Sequence, residues 1–205
     1  MDKEKFVVDT SAFMTEDARE NNESMAEAVE RILDTLKRAE QEKGFKFYMP
    51  DSTFEELEKI MEGSVSDEVL SKLNTWVRCR SPSRHEVKVP GDMMYKFVEE
   101  MRKRVDKGLR DSEKALHKLD EMEEEPEHEY YDQVDVAVSD LRDDYKETMR
   151  KGIVDSKEDL DLLLLAKELD ATLVSEDRGV LNWADEFGIT HLEGNRLADV
   201  LEERL

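Results

Sequence analysis

The sequence contains a single cysteine, Cys79, so it can form neither an intrachain disulfide nor a cysteine-based zinc site. Its first residues lack the apolar segment of a signal peptide. No apolar run approaches the roughly 20 residues that a bilayer-crossing helix needs. We therefore expect a soluble protein that works in the cytoplasm and has no membrane partner.

Basic residues are also scarce: 31 lysines and arginines face 53 aspartates and glutamates, which gives a formal net charge of -22. This balance argues against a nucleic-acid partner, because the phosphate backbone attracts Lys and Arg. Acidic surfaces also suit a salt-rich cytoplasm, in which screening limits their mutual repulsion. The composition by itself leaves both interpretations open.

Strands and helices alternate at both ends of the sequence, which has 205 residues. The segments KFVVD, FKFYMP, ATLVS and ITHL have the apolar character of short buried strands. Helical periodicity follows in NNESMAEAVERILDTLKRAEQEKG, DSTFEELEKIM, SDEVLSKLNTWV and the terminal segment, and we expect Asp51 or Ser52 as the N-cap of the second. This alternation predicts an α/β fold in which helices flank a parallel sheet.

Residues 91–151 interrupt this rhythm with two long helical patterns and no predicted strand. The two apolar stripes consist of Met94, Phe97, Met101, Val105 and Leu109, and of Tyr130, Val134, Val138, Leu141 and Tyr145. Each stripe is wide enough for one partner, so we expect an antiparallel helical hairpin that protrudes from the α/β body. Two ordinary core helices are the alternative. The hairpin would divide a single α/β domain into residues 1–90 and 152–205.

Four aspartates are placed so that they can meet at one edge of the sheet. Asp9 ends the first strand and Asp177 follows ATLVS, and open parallel sheets bind ligands at the C-terminal ends of their strands. Asp155 and Asp159 are four residues apart at a helix start and share one face. Carboxylates this close repel one another unless a divalent cation lies between them, and oxygen ligands favour Mg²⁺ or Mn²⁺.

Most of these residues also have a structural interpretation. Asp155 with Glu158 resembles a helix capping pair, and Asp177 suits a turn. Asp161 lies roughly 160° around the helix from the shared face, so we expect it to be solvated. The structural alternative is weakest for Asp9, because a carboxylate that ends a buried strand needs partners.

The two ends of the sequence resemble the PIN-domain nuclease pattern. VVDTSAF carries Asp9, PDSTFEELEKI carries Glu56 at a helix start, and DLDLLLLAKELDATLVSEDRGV follows near the C-terminal end. Within that last stretch Asp159 precedes Asp177 by 18 positions, which is the usual spacing, whereas Asp161 is too close. Ser175 stands where Thr is more common. The resemblance implies a PIN-like sheet flanked by helices.

The chain is more narrowly similar to the protein-only, RNA-free ribonuclease P family known as HARP. This resemblance rests on its length, the hairpin insertion and Asp155 four residues ahead of Asp159, and it spans essentially the whole chain. It implies that Asp9, Asp155, Asp159 and Asp177 form the catalytic, metal-binding set, with Asp161 and Glu56 as further metal-binding candidates. It also implies an endoribonuclease that removes the 5′ leader of precursor tRNA with Mg²⁺, for which Mn²⁺ substitutes, and a large homo-oligomer assembled through the hairpin.

Two groups of basic residues are candidates for RNA binding. Lys103, Lys107, Arg110 and Lys114 form one stripe along the first hairpin helix, with Arg102 beside it. The alternative for this stripe is ion pairing with the acidic second helix. The segment RCRSPSRHE, which we expect to be a loop, contributes Arg78, Arg80 and Arg84.

Two other functions remain open at this point. One is a toxin-like or rRNA-directed PIN ribonuclease, against which the long insertion weighs. The other is a non-catalytic oligomeric scaffold with an acidic surface. At this net charge we expect self-repulsion to dominate at low salt, so assembly and activity should hold up best at elevated salt.

Overall fold

The computed structural model of the chain describes residues 4–14, 23–121, 130–150, 154 and 156–205, and only the backbone at 120–121, 130–133 and 147–150. Two compact units are present, Met1–Val89 with Val154–Leu205 and Pro90–Ile153. In the first unit five parallel strands form one sheet in the order β3-β2-β1-β4-β5. The strands are β1 (Lys5–Val8), β2 (Lys46–Met49), β3 (Val77–Cys79), β4 (Thr172–Ser175) and β5 (His191–Glu193).

Helices surround this sheet in the first unit, so the predicted α/β fold with a parallel sheet is confirmed. They are α1 (Ser11–Met14), α2 (Met25–Lys43), α3 (Asp51–Met61), α4 (Asp67–Trp76), α7 (Lys157–Leu169), α8 (Arg178–Phe187) and α9 (Leu197–Arg204), with a 3-10 turn at Gly194–Arg196. The second unit contains α5 (Gly91–Glu121) and α6 (Tyr130–Arg150). None of the helices in the described ranges is long and apolar enough to cross a membrane.

The strand order places a topological switch point between β1 and β4. From β1 the chain proceeds outward to β2 and β3, and it later returns to the other side of β1 through β4 and β5. Val8 lies beside Val174, and the N–H of Asp9 continues the ladder by donating to the carbonyl of Val174 at 2.9 Å. Phe6, Val8 and Val174 are fully buried in the core. The end of β1 is therefore fixed against the end of β4.

Local signals explain most helix ends but not all of them. Ser24 and Glu27 form a reciprocal capping box at the start of α2, and Gly44 ends that helix in the left-handed conformation at φ 74°. The predicted N-cap of α3 is wrong, because Pro50 occupies that position. Asp51 lies inside the first turn instead, where its carboxylate accepts hydrogen bonds from Cys79 and Ser81.

The sequence patterns missed strand β3. Its three residues directly follow α4, and the predicted loop RCRSPSRHE begins inside it. The strand forms because Val77 is buried beside Phe47 at the edge of the sheet. A three-residue strand is too short to show the alternation on which sequence reasoning depends.

The second unit consists of two helices that contact each other. Lys118 of α5 pairs with Asp140 of α6, whereas Gly108 approaches Tyr145, so the helices run antiparallel. A Cβ at Gly108 would lie 2.7 Å from the Tyr145 ring, which explains why a glycine is needed there. The protrusion of this pair from the α/β body stays a prediction.

The predicted apolar stripe of α5 stays largely exposed. Met94, Phe97, Met101, Val105 and Leu109 are 37–61% exposed, so a large part of each side chain is left uncovered by the described residues. The buried positions in this unit include the small residue Ala137 of α6, which permits close approach of the two helices. Much of the apolar stripe of α5 therefore remains open.

One ion cluster links three elements of the first unit. Glu40 of α2 accepts hydrogen bonds from Lys46 of β2 and from Arg78 of β3, at 2.9 Å for Arg78 Nη1. Burial on its own would raise the pKa of Glu40, but these donors outweigh it and hold the pKa below its usual value. Arg78, a predicted RNA-binding residue, thus supports the fold.

We expect Glu40→Gln to lower the free energy of unfolding by about 1–3 kcal/mol at neutral pH, because it weakens three charge-assisted hydrogen bonds, one from Lys46 and two from Arg78. The pKa of Glu40 is lower in the folded state, so its stabilisation is present above the unfolded value of 4.5 and is lost as pH falls through the folded value. Urea denaturation of both proteins across a pH series measures this. The exposed Glu42→Gln is the matched control, and equal losses for the two variants would contradict the prediction.

Candidate active site

Two of the predicted aspartates lie at the switch point of the sheet. Asp9 directly follows β1, and Asp177 comes two residues after β4, the strand that pairs with β1. The C-terminal ends of adjacent parallel strands at such a point form a crevice in which ligands bind. The negative charge of Asp177 makes a small contribution that raises the pKa of Asp9.

Two serine hydroxyls hold the carboxylate of Asp9. Ser11 Oγ donates to Asp9 Oδ2 at 2.6 Å, and Ser175 Oγ donates to the same oxygen at 2.7 Å. Each hydroxyl also accepts a backbone N–H, from Glu176 at 2.9 Å for Ser11 and from Asp177 at 3.0 Å for Ser175. Because each serine accepts from the loop after β4, its own proton is directed to Asp9. The pair links the ends of β1 and β4 through one carboxylate oxygen.

The environment of Asp9 opposes its negative charge. Burial raises the pKa of Asp9 above its usual value, and the nearby charge of Asp177 raises it further. Hydrogen bonds from Ser11, Ser175 and the backbone of Thr10 lower the pKa but do not cancel the effect of burial. A bound cation would oppose both unfavourable contributions, since it favours the ionised form of a carboxylate.

A cleft of about 480 Å³ opens beside Asp9. It is lined by Asp9, Ser52, Thr53, Glu56, Ser156, Glu158, Asp159 and Leu162. The fold therefore brings together three predicted site residues from three elements: Asp9 after β1, Glu56 on α3 and Asp159 on α7. Asp155 lies outside the described residues.

Asp177 has a structural task in addition to its charge. Its Oδ1 accepts the N–H groups of Gly179 at 2.5 Å and Val180 at 3.2 Å, which makes it the N-cap of α8. At the start of α7 the cap is Ser156, whose hydroxyl accepts the N–H of Asp159 at 2.9 Å. The suggested capping pair of Asp155 and Glu158 is therefore wrong, and the Ser156 cap fixes the turn that carries Asp159.

Asp161 is not solvated, which corrects the expectation from its angular position on α7. It is 4% exposed and faces Arg84, whose Nε donates to Oδ1 at 2.8 Å while Nη2 donates to Oδ2. This two-point ion pair compensates the buried charge. It also directs Asp161 towards a guanidinium, and Asp161 is absent from the residues that line the cleft.

A sequence model of the PINc domain ribonuclease family matches residues 5–205. An RNA-free ribonuclease P from Haloarcula marismortui is 46% identical over 206 residues, which cover 99% of this chain and 92% of the relative. Proteins of the same name from Methanopyrus kandleri and Thermodesulfovibrio yellowstonii are 35% and 36% identical, covering 99% and 97% of this chain and 95% and 94% of the relatives. The chain belongs to the RNA-free ribonuclease P family of PIN-domain endoribonucleases. The resemblance seen in the sequence is confirmed.

PIN-domain nucleases use divalent metals, and the residues of this RNA-free ribonuclease P family member fit such an ion by their chemistry. Within the part of the chain that the structure describes, no three His, Cys, Asp or Glu side chains are close enough to enclose a metal ion. Mg²⁺, however, retains several waters and needs only one or two direct carboxylates. The cleft offers Asp9, Glu56, Glu158 and Asp159, which are hard oxygen donors.

The three arginines predicted to bind RNA in this family member are held by carboxylates. Arg78 pairs with Glu40, Arg80 with Glu168 and Arg84 with Asp161. The N–H of Ser83 adds a hydrogen bond to Glu168 at 2.6 Å, so the segment after β3 is tied to α7 at several points. Their role in RNA binding stays a prediction.

Sequence reasoning missed the two serines that hold Asp9. The signal was present, because Ser11 follows Asp9 by two residues and Ser175 ends the strand that pairs with β1. Serine is common near turns, however, and only the register of β1 and β4 shows that both hydroxyls reach the same oxygen.

We expect Ser175→Ala to reduce the free energy of unfolding by about 1–3 kcal/mol. Asp9 then loses one donor and the N–H of Asp177 loses its acceptor, because the hydroxyl of the fully buried Ser175 makes both hydrogen bonds. Ser175→Thr keeps the hydroxyl and should lose less. Chemical denaturation measures the difference, with the exposed Ser71→Ala as the control, which should change stability by less than about 0.5 kcal/mol. Equal stability of the Ala variant and the unmodified chain would contradict this interpretation of Ser175.

Proposed function

We propose that the chain removes the 5′ leader of precursor tRNA by metal-dependent hydrolysis that leaves a 5′-phosphate on the mature tRNA. One observation carries the proposal: Asp9, Glu56 and Asp159 line one cleft at the switch point of the sheet. The relatives that span nearly the whole chain are named RNA-free ribonuclease P. These names favour this function over the two alternatives, a toxin-like or rRNA-directed ribonuclease and a non-catalytic scaffold.

The residues that would hold Mg²⁺ are Asp9, Asp155, Asp159 and Asp177, with Glu56 as a further candidate that lines the same cleft as Asp9 and Asp159. When bound, such an ion lowers the pKa of a coordinated water and neutralises charge that develops on the phosphate. The protein keeps the carboxylates in place: Ser11 and Ser175 orient Asp9, and the Ser156 cap fixes the turn of Asp159. Asp161 is committed to Arg84, so we assign it a supporting role beside Asp159.

RNA would be held in part by the basic stripe of α5. Lys103 and Lys114 are 68% and 79% exposed, and their ion pairs with Glu100 and Asp111 lie within α5 itself. Such exposed pairs are weak, so a phosphate can replace them. The four cations of the stripe extend over about 16 Å, enough to follow a nucleic-acid backbone. Pairing of the stripe with α6 is less well supported, since Lys118, outside the stripe, makes that contact.

Replacement of Asp9, Asp159 or Asp177 by Asn should reduce leader cleavage by about 100-fold or more, because each change removes an anionic oxygen from the proposed metal set. EDTA should abolish cleavage by the unmodified chain, and Mg²⁺ should restore it. Gel analysis of a precursor tRNA labelled at its 5′ end measures the rate. Asp199→Asn, an exposed carboxylate on α9, is the control and should cleave normally. Undiminished cleavage by the Asp9 and Asp177 variants would end this proposal.

The open apolar face of α5 supports the proposal that the chain assembles with copies of itself. Met94, Val98, Met101, Val105, Leu109 and Leu116 are 37–68% exposed and follow spacings of three, four and seven residues. Monomers rarely leave so large a continuous apolar surface in water. The same unit joins a partly basic helix to a strongly acidic one, so a second copy offers complementary charge as well as an apolar face.

We expect the double variant Val105→Ser, Leu109→Ser to lower the mass of the particle in solution, because it removes apolar area from the middle of the α5 face. Light scattering across a salt series measures the mass, and the unmodified chain should form its largest species at high salt, where repulsion is screened. Ile60→Ser, on α3 and 42% exposed, is the matched control. A larger species at low salt than at high salt would contradict the expected role of repulsion, and an unchanged mass of the double variant would contradict the α5 interface.

A further inference from the structure

Two hydroxyl groups in the cleft are buried without a partner. Within the described ranges, Ser52 Oγ and Thr53 Oγ1 are shielded from water and make no hydrogen bond. Thr53 is 2% exposed, and both residues belong to the cleft lining beside Asp9. A buried hydroxyl without a partner is destabilising, and most buried polar groups in proteins are paired. Its presence at a functional site therefore requires an explanation.

The same residues lie in the first turn of α3, where the backbone also has donors to offer. The first N–H groups of any helix have no acceptor within the helix. Pro50 at the N-cap provides no side-chain acceptor for them in the described structure. The carboxylate of Asp51 is engaged by Cys79 and Ser81 on the neighbouring strand and loop. The start of α3 thus combines two unused hydroxyls with uncapped N–H groups, which favours an anion.

The hydroxyls of Ser52 and Thr53 differ from the other groups that line the cleft, which are mostly acceptors. Apart from Leu162, the other residues that line the cleft are the carboxylates of Asp9, Glu56, Glu158 and Asp159 and the hydroxyl of Ser156. Ser156 Oγ already accepts the N–H of Asp159. A phosphodiester that enters a cleft lined by carboxylates needs a cation to offset their charge and hydrogen-bond donors for its own oxygens. Ser52 and Thr53 supply the donors.

The position of Thr53 relative to Asp9 is fixed by the fold. The hydroxyl of Thr10, the residue after Asp9, donates to the carbonyl of Thr53 at 3.4 Å. Phe54 and Leu57, on the buried side of α3, pack into the core and hold the helix in place. Packing and this hydrogen bond therefore fix the backbone of the first turn of α3 relative to Asp9.

We propose that the first turn of α3 is a phosphate-binding subsite, in which the hydroxyls of Ser52 and Thr53 donate to oxygens of the phosphate at the cleavage point. The subsite rests on the proposed leader-removing function, because after cleavage this phosphate becomes the 5′-phosphate of the product. Ser52 and Thr53 bind and position substrate, while the carboxylates of the cleft hold the metal.

The test isolates this one phosphate. Mature tRNA carrying a 5′-phosphate is compared with the same tRNA carrying a 5′-hydroxyl, and fluorescence anisotropy gives the two dissociation constants for the full chain in Mg²⁺. We expect the unmodified chain to prefer the phosphorylated tRNA. Thr53→Val should reduce this preference by about ten-fold, the worth of one hydrogen bond to a charged group. Thr53→Ser, which keeps the hydroxyl, should retain it.

Stability provides a second readout that separates binding from folding. Thr53→Val removes a buried hydroxyl that has no partner, so its melting temperature should equal or exceed that of the unmodified chain. Ser52→Ala is the second variant and should reduce the preference for the 5′-phosphate in the same direction. Loss of stability together with loss of binding in the Val variant would overturn the proposal in favour of a structural role.

Two further outcomes would also overturn it. One is an unmodified chain that binds both tRNAs equally well, and the other is a Thr53→Val variant with an unchanged preference. Leader cleavage that continues normally in either case would leave the proposed function intact, because only the subsite would have failed. A cleavage rate at saturating enzyme that falls in Thr53→Val and recovers in Thr53→Ser supports the proposal.

Discussion

The hydrogen bonds from Ser11 and Ser175 to Asp9 Oδ2 connect the core of this protein to its chemistry. They join the ends of the two central strands and place a carboxylate where burial and Asp177 both oppose its charge. The serines reduce this opposition without removing it, so the site retains an unfavourable concentration of negative charge. A divalent cation would oppose that charge, because it favours the ionised form of a carboxylate. The hydrogen bonds that join the two central strands are therefore the same ones that orient the carboxylate of Asp9.

Much of this arrangement follows from the sequence because strand ends and helix faces obey simple geometry. An aspartate after a buried strand and another after a second strand meet only if those strands are neighbours, which β1 and β4 are. Asp159, in the first turn of α7, lines the cleft as expected, whereas Asp155 lies outside the described residues and its shared face stays a prediction. Periodicity could not predict what covers the opposite face. The segment after β3 does so, and Arg84 turns a supposedly solvated Asp161 into a buried ion pair.

The limits of pattern reasoning are equally clear in the helical unit. Apolar spacing shows which residues of α5 share a face, but it does not show whether α6 or another molecule covers them. The close contact with α6 depends instead on Gly108, which an apolar stripe ignores. Likewise, the donors at the start of α3 carry no sequence signal, since Ser52 appeared to be a helix cap. The role that we propose for Ser52 rests instead on its hydroxyl, which is buried without a hydrogen-bond partner.

The fold shows how the few basic residues of this acidic chain are used. Several of its scarce cations are used to fasten elements together, as Arg78, Arg80 and Arg84 do through their carboxylate partners. The basic stripe of α5 remains largely exposed, and Lys103 and Lys114 make their ion pairs within α5 itself. Overall acidity and local basicity therefore serve different purposes, and net charge is a poor guide to the partners of this protein.

The central claim is that negative charge gathered around Asp9 forms a site for a divalent ion. Titration with Mn²⁺ by isothermal calorimetry, in the absence of RNA, tests it most directly. We expect saturable binding by the unmodified chain and at least about ten-fold weaker binding by Asp9→Asn, since the ion loses an anionic ligand. Heats that do not saturate, or identical titration curves for the two proteins, would contradict the account.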